Sequence, residues 1–116
     1  MATDFQTREQ RNLPVVANIV DLTSAYTAGE ATVHAIYVSN KDASNIVNFY
    51  LQLADGDNAE KAYILYNVEI PPQSSMVVEK PINLTASTEA ASQRKLRVYA
   101  SSADKLDAVA SVLVIT

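Results

Sequence analysis

Few side chains in this sequence are of the types that do chemistry. The one histidine, His34, stands in a run of β-branched and aromatic residues, with Thr32, Ile36 and Val38 at alternate positions. A general base or a metal ligand needs a second group to orient it or to share the ion. No second histidine exists and the chain has no cysteine, which removes thiolate nucleophiles, thiolate metal sites and disulfides. His34 is therefore expected to serve packing or hydrogen bonding on the face it shares with Thr32, Ile36 and Val38. No Gly-x-Ser-x-Gly sequence raises a serine at a strand-to-helix elbow. The only glycines, Gly29 and Gly56, are too far apart to cradle a phosphate. No catalytic, cofactor-binding or metal-binding residue is expected, and no enzyme activity.

Charged clusters come next. Asp55, Asp57 and Glu60 form the densest acidic group. Oxygen ligands alternating in a loop suit calcium, but the full calcium-loop pattern is missing, and a hairpin tip kept soluble by its acids is the expected role. Arg94, Lys95 and Arg97, with Lys105 beyond, make the one basic cluster on a chain of net charge −4. A nucleic-acid binder of this size shows a basic face. This cluster is expected to be a solvated strand end, without nucleic acid as a partner. Six tyrosines are spread along the chain and there is no tryptophan. The tyrosines fall on several strands, which argues against one cofactor box and for core packing with hydroxyls at the surface.

These residues must be positioned by strands. Beyond Pro14 the apolar pattern has period two, with expected strands over 16–22, 32–39, 46–53, 63–70, 75–79, 97–101 and 108–115. Within 46–53, Val47, Phe49, Leu51 and Leu53 alternate with Asn48, Tyr50 and Gln52. Turn chemistry punctuates the set at Asn40-Lys41-Asp42, Asp55-Gly56-Asp57-Asn58 and Pro71-Pro72. A helical turn is expected within 85–93, and a hairpin is expected after Ser102 although that residue would also suit a helix N-cap. The fold class is all-β: a single-domain antiparallel β-sandwich, jelly-roll or Ig-like, of about seven strands.

The ends differ from the middle. Residues 1–14 are expected as an extended N-terminal arm and 15–116 as the sandwich. Its segment 2–12 is polar with Phe5 as the one large apolar residue and anchor, and it either hangs loose or orders on a neighbouring subunit. Phe5, Arg8 and Arg11 are its candidate partner contacts. It lacks the apolar core of a signal peptide, and no apolar run approaches membrane-spanning length, so no membrane partner is expected. The last strand is apolar to Ile115, and such a strand must be paired or covered.

Several strand sequences carry a family resemblance. Asp21-Leu-Thr-Ser-Ala-Tyr-Thr-Ala, Thr32-Val-His-Ala-Ile-Tyr-Val-Ser-Asn and Val47-Asn-Phe-Tyr-Leu resemble small β-sandwich structural proteins of tailed bacteriophages, of the head-decoration, collar or neck type. So do Tyr63-Ile-Leu-Tyr-Asn-Val-Glu-Ile-Pro-Pro and Leu96-Arg-Val-Tyr-Ala-Ser-Ser-Ala. The resemblance spans roughly residues 19–115 and leaves the arm outside it. It implies a non-enzymatic virion component, assembled in the bacterial host cytoplasm. The implied partners are itself, as a trimer or ring, and virion proteins such as the major capsid, portal or neck proteins. A tail-fibre or receptor-binding module is the alternative.

Overall fold

A computed structural model describes residues 3–116. Among the described residues there are nine strands: β1 (Thr3–Gln10), β2 (Val20–Asp21), β3 (Glu30–Asn40), β4 (Val47–Ala54), β5 (Glu60–Ile70), β6 (Ser75–Val78), β7 (Ile82–Leu84), β8 (Lys95–Ala100) and β9 (Leu106–Ile115). Two 3₁₀ turns, Val16–Asn18 and Ala90–Ser92, complete the regular structure. The second is the helical turn expected within 85–93.

Every strand pair is antiparallel. One sheet runs β1-β9-β3-β6 with β7 also on β3, and the other runs β2-β8-β4-β5. β6 lies along residues 36–39 of β3 and β7 along residues 31–33, so the two share one strand position. Pro81, which has no N–H for the ladder, stands at the break between them. Eight strand positions, divided four and four in this alternating order, make a jelly roll.

Alternation sets the core. On β9, Leu106, Ala108, Ala110, Val112 and Val114 are buried, and Asp107, Val109, Ser111, Leu113 and Ile115 face outward. Phe49 and Leu51 of β4, Leu96 and Val98 of β8, and Val33, Ile36 and Val38 of β3 fill the interior between the sheets. Each large buried apolar side chain contributes about 1.5–3 kcal/mol. Asn40, buried at the β3–β4 corner, donates to the Ile70 carbonyl at 2.9 Å and accepts from the Asp42 N–H at 2.9 Å. One side chain thus closes two corners that would otherwise hold unpaired backbone groups. Gly29, at φ 81°, lets β3 start beside the end of β9, where a Cβ would collide with the Ile115 carbonyl oxygen.

Three expectations change. The segment expected as an arm is extended, but residues 3–10 form β1 and pair with β9 of the same chain along eight positions. Leu13, placed within that arm, is completely buried and donates to the Leu106 carbonyl at 2.7 Å. Residues 1 and 2 of the expected arm lie outside the described residues. The strand expected over 16–22 shrinks to Val20–Asp21, because only Val98 and Arg97 of β8 stand opposite it. The connection after Ser102 is a tight turn but not a hairpin: β8 and β9 lie in different sheets, and Asp104, at φ 67°, turns the chain across.

Candidate assembly surfaces

The chemistry-bearing residues are dispersed and held by structural partners. His34 is exposed, not packed: a β-bulge between Val33 and Ala35 breaks the alternation that would have joined it to Ile36 and Val38. Asp55 is buried at the tip of the β4–β5 hairpin, where its Oδ1 accepts the N–H groups of Asp57 and Ala59, both at 2.9 Å. The hydrogen bond from Ala59 leads the causes that hold this carboxyl below its usual range, and Lys61 adds to it. The carboxylate therefore closes its own turn, while Asp57 and Glu60 stay in solvent. Among the described residues no group of three His, Cys, Asp or Glu converges on a metal-sized space.

The basic cluster is not a solvated strand end. Lys95 is buried, and its Nζ lies 3.0 Å from Asp21 Oδ2 and also donates to Asn58. Arg97 Nε donates to Asp21 Oδ1 at 2.9 Å, and the same guanidinium reaches the Ile19 carbonyl. Asp21 of β2 is thus clasped by two cations of β8, which fixes a strand too short to hold itself. Arg94 bonds the carbonyls of Ala91 and Gln93. Two of these cations are thus engaged by one carboxylate and the third by neutral carbonyls.

Four of the six tyrosines, scattered in sequence, meet on the outer face of the four-stranded sheet. Tyr50 and Tyr99 stand directly opposite in the β4–β8 register and stack at 4.5 Å. Tyr66 packs edge-on against Tyr50 at 5.1 Å and against Tyr63 at 4.8 Å. The Tyr63 and Tyr99 hydroxyls share a hydrogen bond of 2.7 Å, and the Tyr50 hydroxyl donates to Asn67 Oδ1 at 2.8 Å. Burial, then the Tyr63 hydrogen bond, pushes the Tyr99 phenol upward. Tyr66 is 65% exposed and lines a shallow cleft with Tyr50, Tyr99, Val16 and Ser101. Sequence reasoning missed this cluster, since adjacency depends on the pairing of β4 with β8. Its one signal was that Tyr50 and Tyr99 each alternate with core residues.

Phe5, Arg8 and Arg11 are not brought together. Phe5 lies on the outward face of β1 opposite Leu113 and is 77% exposed. Arg8, opposite the buried Ala110, points to the other face and is half-buried. Arg11 follows the strand in an exposed bend. The outward face that Phe5 joins carries Val109, Leu113 and Ile115 of β9, Tyr37 of β3 and Val77 of β6. Most of the apolar surface of the five-stranded sheet that reaches solvent lies there.

No protein-family model matches the sequence. No curated protein matches it either. Some solved structures are similar to it. VP2 of infectious bursal disease virus, from a subviral particle, superposes with a TM-score of 0.50 at 11% identity, over 97% of this chain and 32% of VP2. The T13 infectious bursal disease virus particle contains a similar chain, with a TM-score of 0.47 at 13% identity over 97% of this chain and 30% of that one. A chain from the acid-stable capsid of Helicobacter pylori bacteriophage KHP30 matches at 0.49 and 13% identity, over 97% of this chain and 86% of its own length. The chain therefore spans about a third of the infectious bursal disease virus proteins it matches. What it has in common with VP2 is the fold: an all-β, jelly-roll-like sandwich of the kind seen in viral capsids.

Proposed function

We propose that this chain is a non-enzymatic structural protein of a virus particle, a capsid- or coat-type sandwich that works by assembly. The observation that carries the reading is the strand order, β1-β9-β3-β6 against β2-β8-β4-β5, which engages nearly the whole described chain in one jelly roll. Asp55, Asp21, Lys95 and Arg97 are taken up by internal turns and clasps. The likeness to VP2 from a subviral particle supports the reading. Within it we place the chain on the bacteriophage head surface or in the neck or collar, as a homo-oligomer. Phe5 is the partner contact on one face of β1, and Arg8 and Arg11 are those on its other face and its end.

The exposed tyrosine cluster favours a second reading, a tail-fibre or receptor-binding module, because aromatic surface ringed by hydroxyls and amides is suited to ligand contact. The test is mass spectrometry of density-banded virus particles from the source culture, followed by antibody labelling under the electron microscope. Many copies per particle with label on the head or neck is the expected result. Absence from particles overturns the proposal, and label confined to tail tips replaces it with the second reading.

A further inference from the structure

An antiparallel sheet with one face in solvent is normally apolar inward and polar outward. The outward face of the five-stranded sheet carries apolar rows among its polar residues. Val109, Tyr37 and Val77 form one unbroken row across β9, β3 and β6. Phe5 and Leu113 form another across β1 and β9. Phe5, Tyr37 and Val77 are 77%, 49% and 43% exposed. Thr7, Ser111 and Ala35 lie between the rows, with the exposed His34 at the bulge beside Ala35.

Charge is confined to the perimeter. Glu30 stands at one end beside Ile115, Glu9 on the edge strand, and Asp107 at the other end, where Lys41 pairs with it at 2.9 Å. Among the described residues no lysine or arginine occupies an outward position on these strands. The whole chain carries a net charge of −4. Two copies meeting here juxtapose uncharged apolar rows at the centre of the contact and leave the acids at its rim.

Size fits as well. Four strand positions at 4.8 Å spacing and nine or ten residues at 3.4 Å rise give a face of roughly 600 Å². Two such faces bury about 1,200 Å², the lower bound for a stable specific interface. We infer that the outward face of the β1-β9-β3-β6 sheet is a self-association surface that packs on a second copy of this chain. The inference deepens the assembly reading above and rests on it for the identity of the partner.

The test uses the full chain in size-exclusion chromatography with light scattering. The wild type is expected at two or more times 12.6 kDa. Tyr37→Glu and Leu113→Glu are each expected to shift it to one chain with an unchanged circular dichroism spectrum. Tyr66→Glu, on the opposite sheet, should leave the mass unaltered. Because the chain has no cysteine, Val77→Cys supplies a second readout that needs no disruptive charge. Its thiol should react at least tenfold faster with a maleimide after dilution to the monomer. A monomeric wild type at every concentration overturns the inference. So does an oligomer that survives Tyr37→Glu and Leu113→Glu, or one that only Tyr66→Glu dissolves. Absence from virus particles with the face still pairing copies would defeat the virion reading alone.

Discussion

Burial and a single hydroxyl partner, Tyr63, together raise the proton affinity of the Tyr99 phenol. A tyrosine in an unfolded chain gives up its proton near pH 10. Folded Tyr99 holds its proton beyond that point, so above about pH 10 the folded state binds more protons than the unfolded one. The contribution is complete below pH 10 and is lost as pH rises through the folded value. Urea midpoints should therefore stay level from pH 8 to 9.5 and begin to fall above about pH 10. Tyr99→Phe should flatten that fall, and a variant that keeps the wild-type alkaline slope would place the loss in another group. The individual alternations of Tyr50 and Tyr99 with core residues were legible in sequence. Their stacking was not, because nothing local to either strand specifies that β4 pairs with β8 at that register.

Strands with an apolar face, β3, β4, β5, β6, β8 and β9, are near their expected positions because burial imposes period two on their residues. β1 is different in kind. Its outward positions are Thr3, Phe5, Thr7 and Glu9 and its inward ones Asp4, Gln6, Arg8 and Gln10, so neither face announces a strand. Backbone hydrogen bonding to β9 holds it, and period-two hydrophobicity does not report such bonds. The apolar character of β9, which demanded a cover on each side, was the available clue. A variant lacking residues 2–10 leaves that edge open while keeping Leu13 in the core. Losing the ladder should cost about 2–3 kcal/mol net, a fall of roughly 10 °C in Tm, with thioflavin-positive aggregation from the freed edge. An unchanged Tm by differential scanning fluorimetry would show that β1 is only loosely laid on the sheet.

The sandwich class was legible from strand spacing, but the jelly-roll order was not, since consecutive strands such as β8 and β9 turn between sheets instead of pairing. The same order separates the molecule's charge from its apolar surface, and that separation predicts how self-association responds to salt. Each chain carries −4, and two chains packed through sheets of a body 19 Å thick bring those charges about that far apart. Unscreened in water, such a repulsion is about 3.5 kcal/mol. At 10 mM ionic strength, where the Debye length is near 30 Å, about half of it survives, and at 150 mM, where the length is near 8 Å, little does. Raising salt over that range should therefore tighten an apolar contact by about 1.5 kcal/mol, roughly tenfold in Kd. A contact made by Arg8 or Arg11 against an acidic neighbour would behave in the opposite way, weakening as its attraction is screened. Sedimentation equilibrium at the two ionic strengths separates them: tightening with salt assigns assembly to the Val109, Tyr37 and Val77 face, and loosening assigns it to the arginines of β1 and its following bend.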